Sequence, residues 1–474
     1  MNNWFDRILL HTRTQPETPA IVMEDRVVTY GMLGTTIDNC ARRLVGAHID
    51  KNNVVAIMVQ NPIRDLTLCL ALFRIGMRSM SLESGHLGIA GLKFATVLSD
   101  AKSKQWLNPA GRIIETDSWF GPEPVGGDDL PAPFSDSRQI CREALTSGST
   151  GAPKSIKATV AYIARYVGPG VMEQNSNLVL CMLGLSSVWG YAIACAALAS
   201  RRTLCFAESP FQAIRMIELF SIDFVFASTD QLVSLIRAVR KSGAHVKSLR
   251  TVVTGGSVPT RALLEAATIH FCKNVLCRYG TSEIGSFAEA GASAILSQPG
   301  LVGDIQPEFE LAVFDRSGDR CDPGQVGVLK SRVRSGAGGE PEAWTDNGDV
   351  GWITADGRLF VVGRTADIDD LSDASVRDIS PVYEVEHLLR LEWDATDAAA
   401  VMVDGNTAKP EIWVATVDCK DADVQKLQTI LRQRGIEGVV RLFPLTSIPR
   451  GANGKVQRAQ LRSLMLNAAA LSKF

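Results

Sequence analysis

The feature that most constrains this chain is an alternation, over roughly its first 360 residues, of continuous apolar runs with segments of helical periodicity. VVAIMVQ (54–60) has no polar face, as a strand covered on both sides requires. Pro62 then opens a helix in which Leu66, Leu70 and Phe73 recur at helical spacing, and Gly76 ends it. FVFAS (224–228), a helix from Asp230 to about Lys241, and LRTVVTGG (249–256) repeat the alternation. Buried parallel strands separated by helices predict a layered α/β architecture.

From about Gly303 the texture changes. FELAVFDRSGDRCDPGQVGVLKSRV and GWITADGRLFVVG read as short strands joined by Asp-Gly and Ser-Gly turns, so this part is expected to be antiparallel. An acidic stretch, DIDDLSDASVRD, follows Gly363 and Arg364. Then comes a small α/β unit: a helix at 381–391, strands AAAVMVDG and EIWVATV, a helix at 421–434 and strand VVRLFPL. The domain boundary is placed at GRTAD.

Composition narrows the partners. Lys plus Arg number 49 against 51 Asp plus Glu, a net charge of −2, which leaves no electrostatic footprint for nucleic acid or an anionic membrane. Small molecules are the expected ligands. The ten cysteines form no CxxC pair and no Cys/His cluster, so they read as buried thiols of a protein in a reducing cytosol. The N-terminus carries early charges and no apolar core of a signal peptide. The uncharged run from Asn177 to Ser200 has the length of a membrane span, but Gly184, Ser186, Ser187 and Gly190 interrupt it. It is read as a buried strand, a turn and a buried helix.

LTSGSTGAPKSIKAT (145–159) carries the first chemistry. A Walker A loop needs glycine directly before its lysine, and here Pro153 precedes Lys154. Proline has no N–H and a fixed φ, so that phosphate-wrapping nest cannot form. What remains is four hydroxyls (Thr146, Ser147, Ser149, Thr150), two glycines for close backbone approach (Gly148, Gly151) and the Lys154 cation. The set suits the β- and γ-phosphates of a nucleotide. Taken alone it equally describes a serine- and glycine-rich surface loop.

The stretch is not alone. It resembles the signature loop of the adenylate-forming superfamily: acyl- and aryl-CoA ligases, peptide-synthetase adenylation domains and luciferases. RYGTSE (278–283), TDNGDVGW (345–352), VVGRTAD (361–367) and PRGANGKVQR (449–458) are similar to four further motifs of that superfamily, in its order. VTYGML at Val28, FRIG at Phe73 and TVVTGGSVP at Thr251 are looser matches. The resemblance covers essentially the whole chain. It implies a large N-terminal domain of layered α/β subdomains plus a distorted antiparallel barrel (1–362), a hinge (363–367) and a small, mobile α+β lid (368–474).

The resemblance also implies roles. The superfamily joins a carboxylic acid to ATP with Mg²⁺, giving an acyl-adenylate and pyrophosphate. Thr146 to Lys154 would hold the leaving phosphates. Ser282 would bond the α-phosphate and Glu283 would ligate Mg²⁺. Tyr279 would stack on adenine, with Gly255 and Gly256 allowing close approach and Ser257, Arg278, Gly280 and Thr281 completing the nucleotide site. Asp349 would accept the ribose hydroxyls, Arg364 would support the ribose, and Lys455 would bridge the substrate carboxylate and the α-phosphate. The acid pocket would be lined by Leu185, Ser186, Trp189, Val253, Gly255, Arg278, Ser286 and Phe287.

Three departures bear on substrate and acceptor. Ala366 stands at the hinge position, where an acidic residue or a lysine is usual, and the stretch after it is a few residues longer, acidic and without the usual glycine. That leaves the thiol step less supported than adenylation. Leu185 replaces the aspartate that anchors an α-ammonium in peptide-synthetase domains, which disfavours α-amino acids. Arg278 replaces a small residue, as in malonate-activating members. It either binds a second acidic or polar group of the substrate, or it points out of the pocket or pairs with a local carboxylate. The acceptor implied is CoA or the phosphopantetheine arm of a carrier protein. An amide- or ester-forming ligase, or a protein that binds nucleotide or acyl-adenylate without thioester activity, remain the alternatives.

Overall fold

The computed structural model describes residues 3–83, 93–104, 111–121, 125–126, 129–147, 153–168, 171–172, 176–334, 343–365, 380–403, 411–419, 422–450 and 456–471. The chain divides into two compact units, Met1–Phe226 and Ala227–Phe474.

The first unit opens with α1 (Trp4–Thr14), β1 (Pro19–Met23), β2 (Arg26–Thr29), α2 (Tyr30–Gly46), β3 (Val55–Met58) and α3 (Pro62–Arg74). β4 (Ser79–Ser81), β5 (Thr96–Ser99), α4 (Ala101–Lys104), β6 (Arg112–Glu115), β7 (Ile140–Ser147), β8 (Pro153–Thr159) and α5 (Val160–Arg165) follow. β9 (Leu178–Cys181), α6 (Val188–Ala199), β10 (Thr203–Cys205), α7 (Pro210–Phe220) and β11 (Phe224–Ser228) bring the chain to its division. One sheet runs β6-β5-β3-β4-β7-β8 and is parallel except for its last pair. A second set runs β11-β9-β10-β1-β2, parallel except for β1 with β2.

Local chemistry explains the boundaries. Asn61 accepts hydrogen bonds from the N–H groups of Ile63 and Arg64 to cap α3, Pro62 needs no donor there, and Gly76 leaves the helix at φ 69°. The uncharged run from Asn177 resolves as expected into β9, a turn and α6. α6 is apolar on every face and buried accordingly. Among the described residues no helix is long and apolar enough to cross a membrane.

The second unit continues with α8 (Thr229–Ser242), β12 (Thr251–Gly255), α9 (Arg261–His270), β13 (Asn274–Thr281), β14 (Gly285–Gly291) and α10 (Ala292–Ser297). Five strands follow: β15 (Leu301–Ile305), β16 (Phe309–Phe314), β17 (Gly327–Val333), β18 (Thr345–Ile353) and β19 (Arg358–Arg364). Its sheet runs β16-β17-β18-β19-β15-β14-β13-β12, and only β12 with β13 is parallel. The antiparallel region therefore begins at β13, earlier than the sequence texture suggests. Gly280 makes this possible: a Cβ there would lie 2.1 Å from the Gly285 carbonyl oxygen, so only glycine lets the chain fold back so tightly.

The small α/β portion consists of α11 (Ser380–Glu392), β20 (Asp397–Val403), β21 (Glu411–Val417), α12 (Val424–Gln433), β22 (Val439–Pro444) and α13 (Arg458–Leu471), close to the elements expected. β20-β21-β22 form its sheet, with Trp413, Leu461 and Met465 in its core. α11 meets α8 and α9 along a seam of charged groups. Glu384, buried, accepts from the Ala262 N–H at the start of α9 (3.1 Å) and from Arg434 (2.6 Å), and burial raises its carboxyl above the usual range. The His387 ring lies 2.8 Å from the Thr260 hydroxyl. Burial, then the neighbouring Arg390, lowers its pKa from 6.5 to about 4. Arg390 pairs with Asp230, while Arg237 and Lys241 share Asp394 at the solvent edge.

Candidate active site

In the second unit, pleat and register bring three motif residues together. Tyr279 on β13 donates its hydroxyl to Asp349 Oδ2 on β18 (2.6 Å). Arg364, the cross-strand partner of Asp349 on β19, places Nη1 3.2 Å from Oδ1. Gly348, at φ 69°, turns the strand just before Asp349, and Asp346 accepts its N–H at 2.7 Å. Asp349 is buried, and the Tyr279 ring meets Phe287 edge-on with centroids 5.1 Å apart. Burial and then the Asp349 charge push the Tyr279 hydroxyl far above its ordinary pKa, so it stays a neutral donor. The result is a fixed carboxylate flanked by an aromatic face and a guanidinium. Such a group suits a vicinal diol attached to a planar base.

Around this cluster, Gly255 closes β12 and Gly256 takes φ 87°, a conformation that favours glycine. Val253 is fully buried, and Ser257 is exposed just beyond. Ser282 and Glu283 are exposed on the turn from β13 to β14, where the Thr281 hydroxyl accepts the Ile284 N–H at 3.3 Å. Ser286 is half-buried, whereas Phe287 is fully buried in the core of the sheet. The described residues hold no cluster of three or more His, Cys, Asp or Glu side chains able to grip a metal. The lone carboxylate of Glu283 fits Mg²⁺ all the same, because that ion is commonly held by one or two carboxylates with phosphate oxygens and water. Arg278, 5% exposed, donates from Nε to Glu289, its partner across β13 and β14, at 2.6 Å. The structure thus supplies the local carboxylate that one of the two sequence readings required.

In the first unit, the hydroxyl-rich loop joins the two strands of a hairpin, with Thr146 paired to Lys154 and Ser147 to Pro153. A Walker loop leads from a strand into a helix; this one does not. Lys154 is exposed, while Gly148, Ser149, Thr150 and Gly151 lie outside the described residues. Glu143 anchors the hairpin base by accepting from Arg78 (2.8 Å) and Ser155 (2.9 Å). Ala366 and Lys455 also lie outside the described residues.

The expected acid-lining corner, 184–187, links β9 to α6. The Ser187 hydroxyl donates to the Gly184 carbonyl (2.8 Å) and caps the N–H of Gly190 (2.9 Å). A Cβ on Gly190 would fall 2.2 Å from that carbonyl oxygen, so the corner closes only over glycine. Leu185 is buried, Trp189 half-buried, and the Ser186 hydroxyl donates to Glu83. Two residues here were missed in the sequence, Glu83 and Arg142. The signal for Arg142 was present: the strand start ICREAL sets an arginine and a glutamate among apolar residues, and each has to be satisfied somewhere.

Comparisons with known proteins add three findings. A family model described as AMP-binding enzyme matches residues 10–338. The 2-succinylbenzoate–CoA ligase of Listeria monocytogenes serotype 4b is 23% identical, over 98% of this chain and 99% of that protein. Among solved structures, the o-succinylbenzoate CoA synthetase of Bacillus subtilis in complex with AMP superposes with a TM-score of 0.77. It is 21% identical, covering 97% of this chain and 98% of that one. The amide bond synthetase McbA of Marinactinospora thermotolerans gives 0.75 at 24% identity, over 97% and 99%.

Proposed function

This chain belongs to the family of AMP-binding enzymes, and from that membership we propose that it activates a small carboxylic acid as its acyl-adenylate and passes the acyl group to a thiol. It is an AMP-forming acid ligase that uses ATP and Mg²⁺. The observation that best supports the fuller reading is the Tyr279–Asp349–Arg364 cluster, in which three separate motifs converge on one carboxylate. In this reading Asp349 receives the ribose hydroxyls while Arg364 fixes its other oxygen, and Tyr279 covers the adenine, with Gly255 to Ser257 beside it. Thr146 to Lys154 receive the departing phosphates, and Ser282 bonds the α-phosphate. Glu283 would hold Mg²⁺, which would supply positive charge against the phosphates that the acid must approach. Lys455 brings the acid carboxylate to the α-phosphorus and offsets the charge that builds there. We assign residues 1–362 to the core, 363–367 to a hinge and 368–474 to a lid, in a cytoplasmic enzyme.

For the acid, the apolar side chain of Leu185 supports a substrate without an α-ammonium. Because Glu289 already faces Arg278, a second acidic group on the substrate would have to share that guanidinium. A polar acid with a neutral acceptor is the better fit. The thiol is that of CoA or of a carrier-protein phosphopantetheine. A second reading, with an amine as acceptor, draws support from the acidic stretch after the hinge, which is a poor neighbour for the phosphates of CoA.

The test is acid-dependent exchange of pyrophosphate into ATP across a panel of acids, with wild type and Lys455→Ala. Wild type should support exchange with at least one acid, and the substitution should lower it by about 100-fold or more. No exchange with any acid, or an unaffected variant, would sink adenylation. Adding CoA, a holo carrier protein or an amine to the active pair then identifies the acceptor.

A further inference from the structure

Arg142 is fully buried on β7, three residues before the hydroxyl-rich stretch begins at Leu145. Its guanidinium reaches two layers of structure. On one side, Nη1 donates to Cys69 Sγ in α3 (3.0 Å) and Ser79 Oγ in β4 (3.1 Å), and Nη2 donates to Ser81 Oγ (2.8 Å). Ser81 in turn donates to Asp65 at 2.5 Å, so the balancing carboxylate stands one hydroxyl away. On the other side, Nη2 donates to the backbone carbonyl of Leu185 at 2.5 Å, and the guanidinium carbon lies 4.6 Å from the ring centroid of Tyr191. Leu185 begins the corner before α6, and Tyr191 sits in the first turn of that helix.

One planar cation therefore holds the 185–191 corner at both ends. The Ser187 bonds to Gly184 and Gly190 close the corner on itself, whereas the Arg142 bond ties it to the sheet. The task needs a rigid fork with several donors and a face that stacks. A lysine, with a compact ammonium on a flexible stem, cannot serve the same partners at once.

We propose that Arg142 is a positioning residue for the acid substrate: by holding the Leu185 carbonyl it fixes the wall formed by Leu185, Ser186 and Trp189 and links that wall to the strand carrying the phosphate-binding hydroxyls. The proposal rests on the acid-activating reading above. It assigns Arg142 no contact with substrate, and its effect passes through the corner.

The test uses Arg142→Lys, which keeps the charge near Asp65 but loses the fork. In pyrophosphate exchange, the KM for the acid should rise about tenfold or more while the KM for ATP stays within about threefold. In parallel, amide hydrogen exchange followed by mass spectrometry should quicken across 184–190 and stay unchanged in α3. A folded variant with an unchanged acid KM and unchanged exchange at 184–190 overturns the proposal. So does an equal rise in both KM values with faster exchange throughout the first unit, which marks a general loss of structure. Should Arg142→Lys fail to fold, the charge-balanced pair Asp65→Asn with Arg142→Gln takes its place under the same criteria. Wild type decides independently as well, because unprotected exchange at 184–190 in the native protein would refute the clamp. If wild type activates no acid, the activity reading fails, while the hydrogen-exchange arms still test the clamp itself.

Discussion

Arg142 in the first unit and Arg390 in the second are both buried, and each leaves Nε without a hydrogen-bond partner, yet their charges are handled in opposite ways. Arg142 is met by a thiol, two hydroxyls and a carbonyl, with Asp65 reached only through Ser81. Arg390 pairs directly with Asp230, whose side chain is exposed, and lies among ion pairs that run out to the surface. Neutral acceptors around a dry cation make a fixed joint, since no rearrangement replaces them with water cheaply. Direct ion pairs at a wet edge make a joint whose halves can be hydrated again when it opens. The contrast suits a fixed wall in one unit and a seam that water can enter, between α11 and α8, in the other.

The largest test of this contrast is Arg142→Met beside Arg390→Met. The first leaves Asp65 buried without its cation and should cost about 3–5 kcal/mol in denaturant unfolding. The second frees a carboxylate that water can reach and should cost about 1 kcal/mol. Equal costs would erase the distinction. Next in size is pH. The pKa of His387 falls from 6.5 to about 4 on folding, so between those values the unfolded chain binds the extra proton. Its stabilising contribution is complete above 6.5 and is lost as pH drops toward 4, by up to about 3 kcal/mol. Thermal scans should show that loss, and His387→Gln should flatten the slope over the same window. The smallest effect belongs to the seam's outer edge. Removing both Arg237 and Lys241 from Asp394 should cost about 1 kcal/mol or less, and salt near 0.5 M should shrink the difference further. A loss several times larger would mean that the edge, too, is a fixed joint.

Much of the fold was legible because burial writes itself into local pattern. The apolar strand before Pro62, the capped α3 and the interrupted run at 177–200 all needed only neighbours in sequence. Antiparallel pairing was harder to see where no Asn-Gly or Asp-Gly marks the turn. The β13–β14 hairpin turns through Ser282, Glu283 and Ile284, and what permits it is close approach at Gly280, which only the folded backbone reveals. At the site, Tyr279, Asp349 and Arg364 were found by motif, but the carboxylate they share comes from strand register, and so does Glu289 beside Arg278. Arg142 escaped because its partners lie at positions 69, 79, 81, 185 and 191, on α3, β4, α6 and the turn before α6. Pairing between distant stretches leaves no periodicity behind.

The cysteines carry a last consequence. All ten are free thiols, and seven are buried. Burial pushes Cys40, Cys69, Cys141, Cys181, Cys205 and Cys277 up to about 12 and Cys195 higher still. Because the thiolate is the species that alkylates, these seven are chemically silent while the chain is folded. Only Cys272, Cys321 and Cys419 offer partial access. The molecule therefore carries its own tally of opening: each masked thiol that takes up a label during a brief alkylating pulse reports, by position, which layer has come apart.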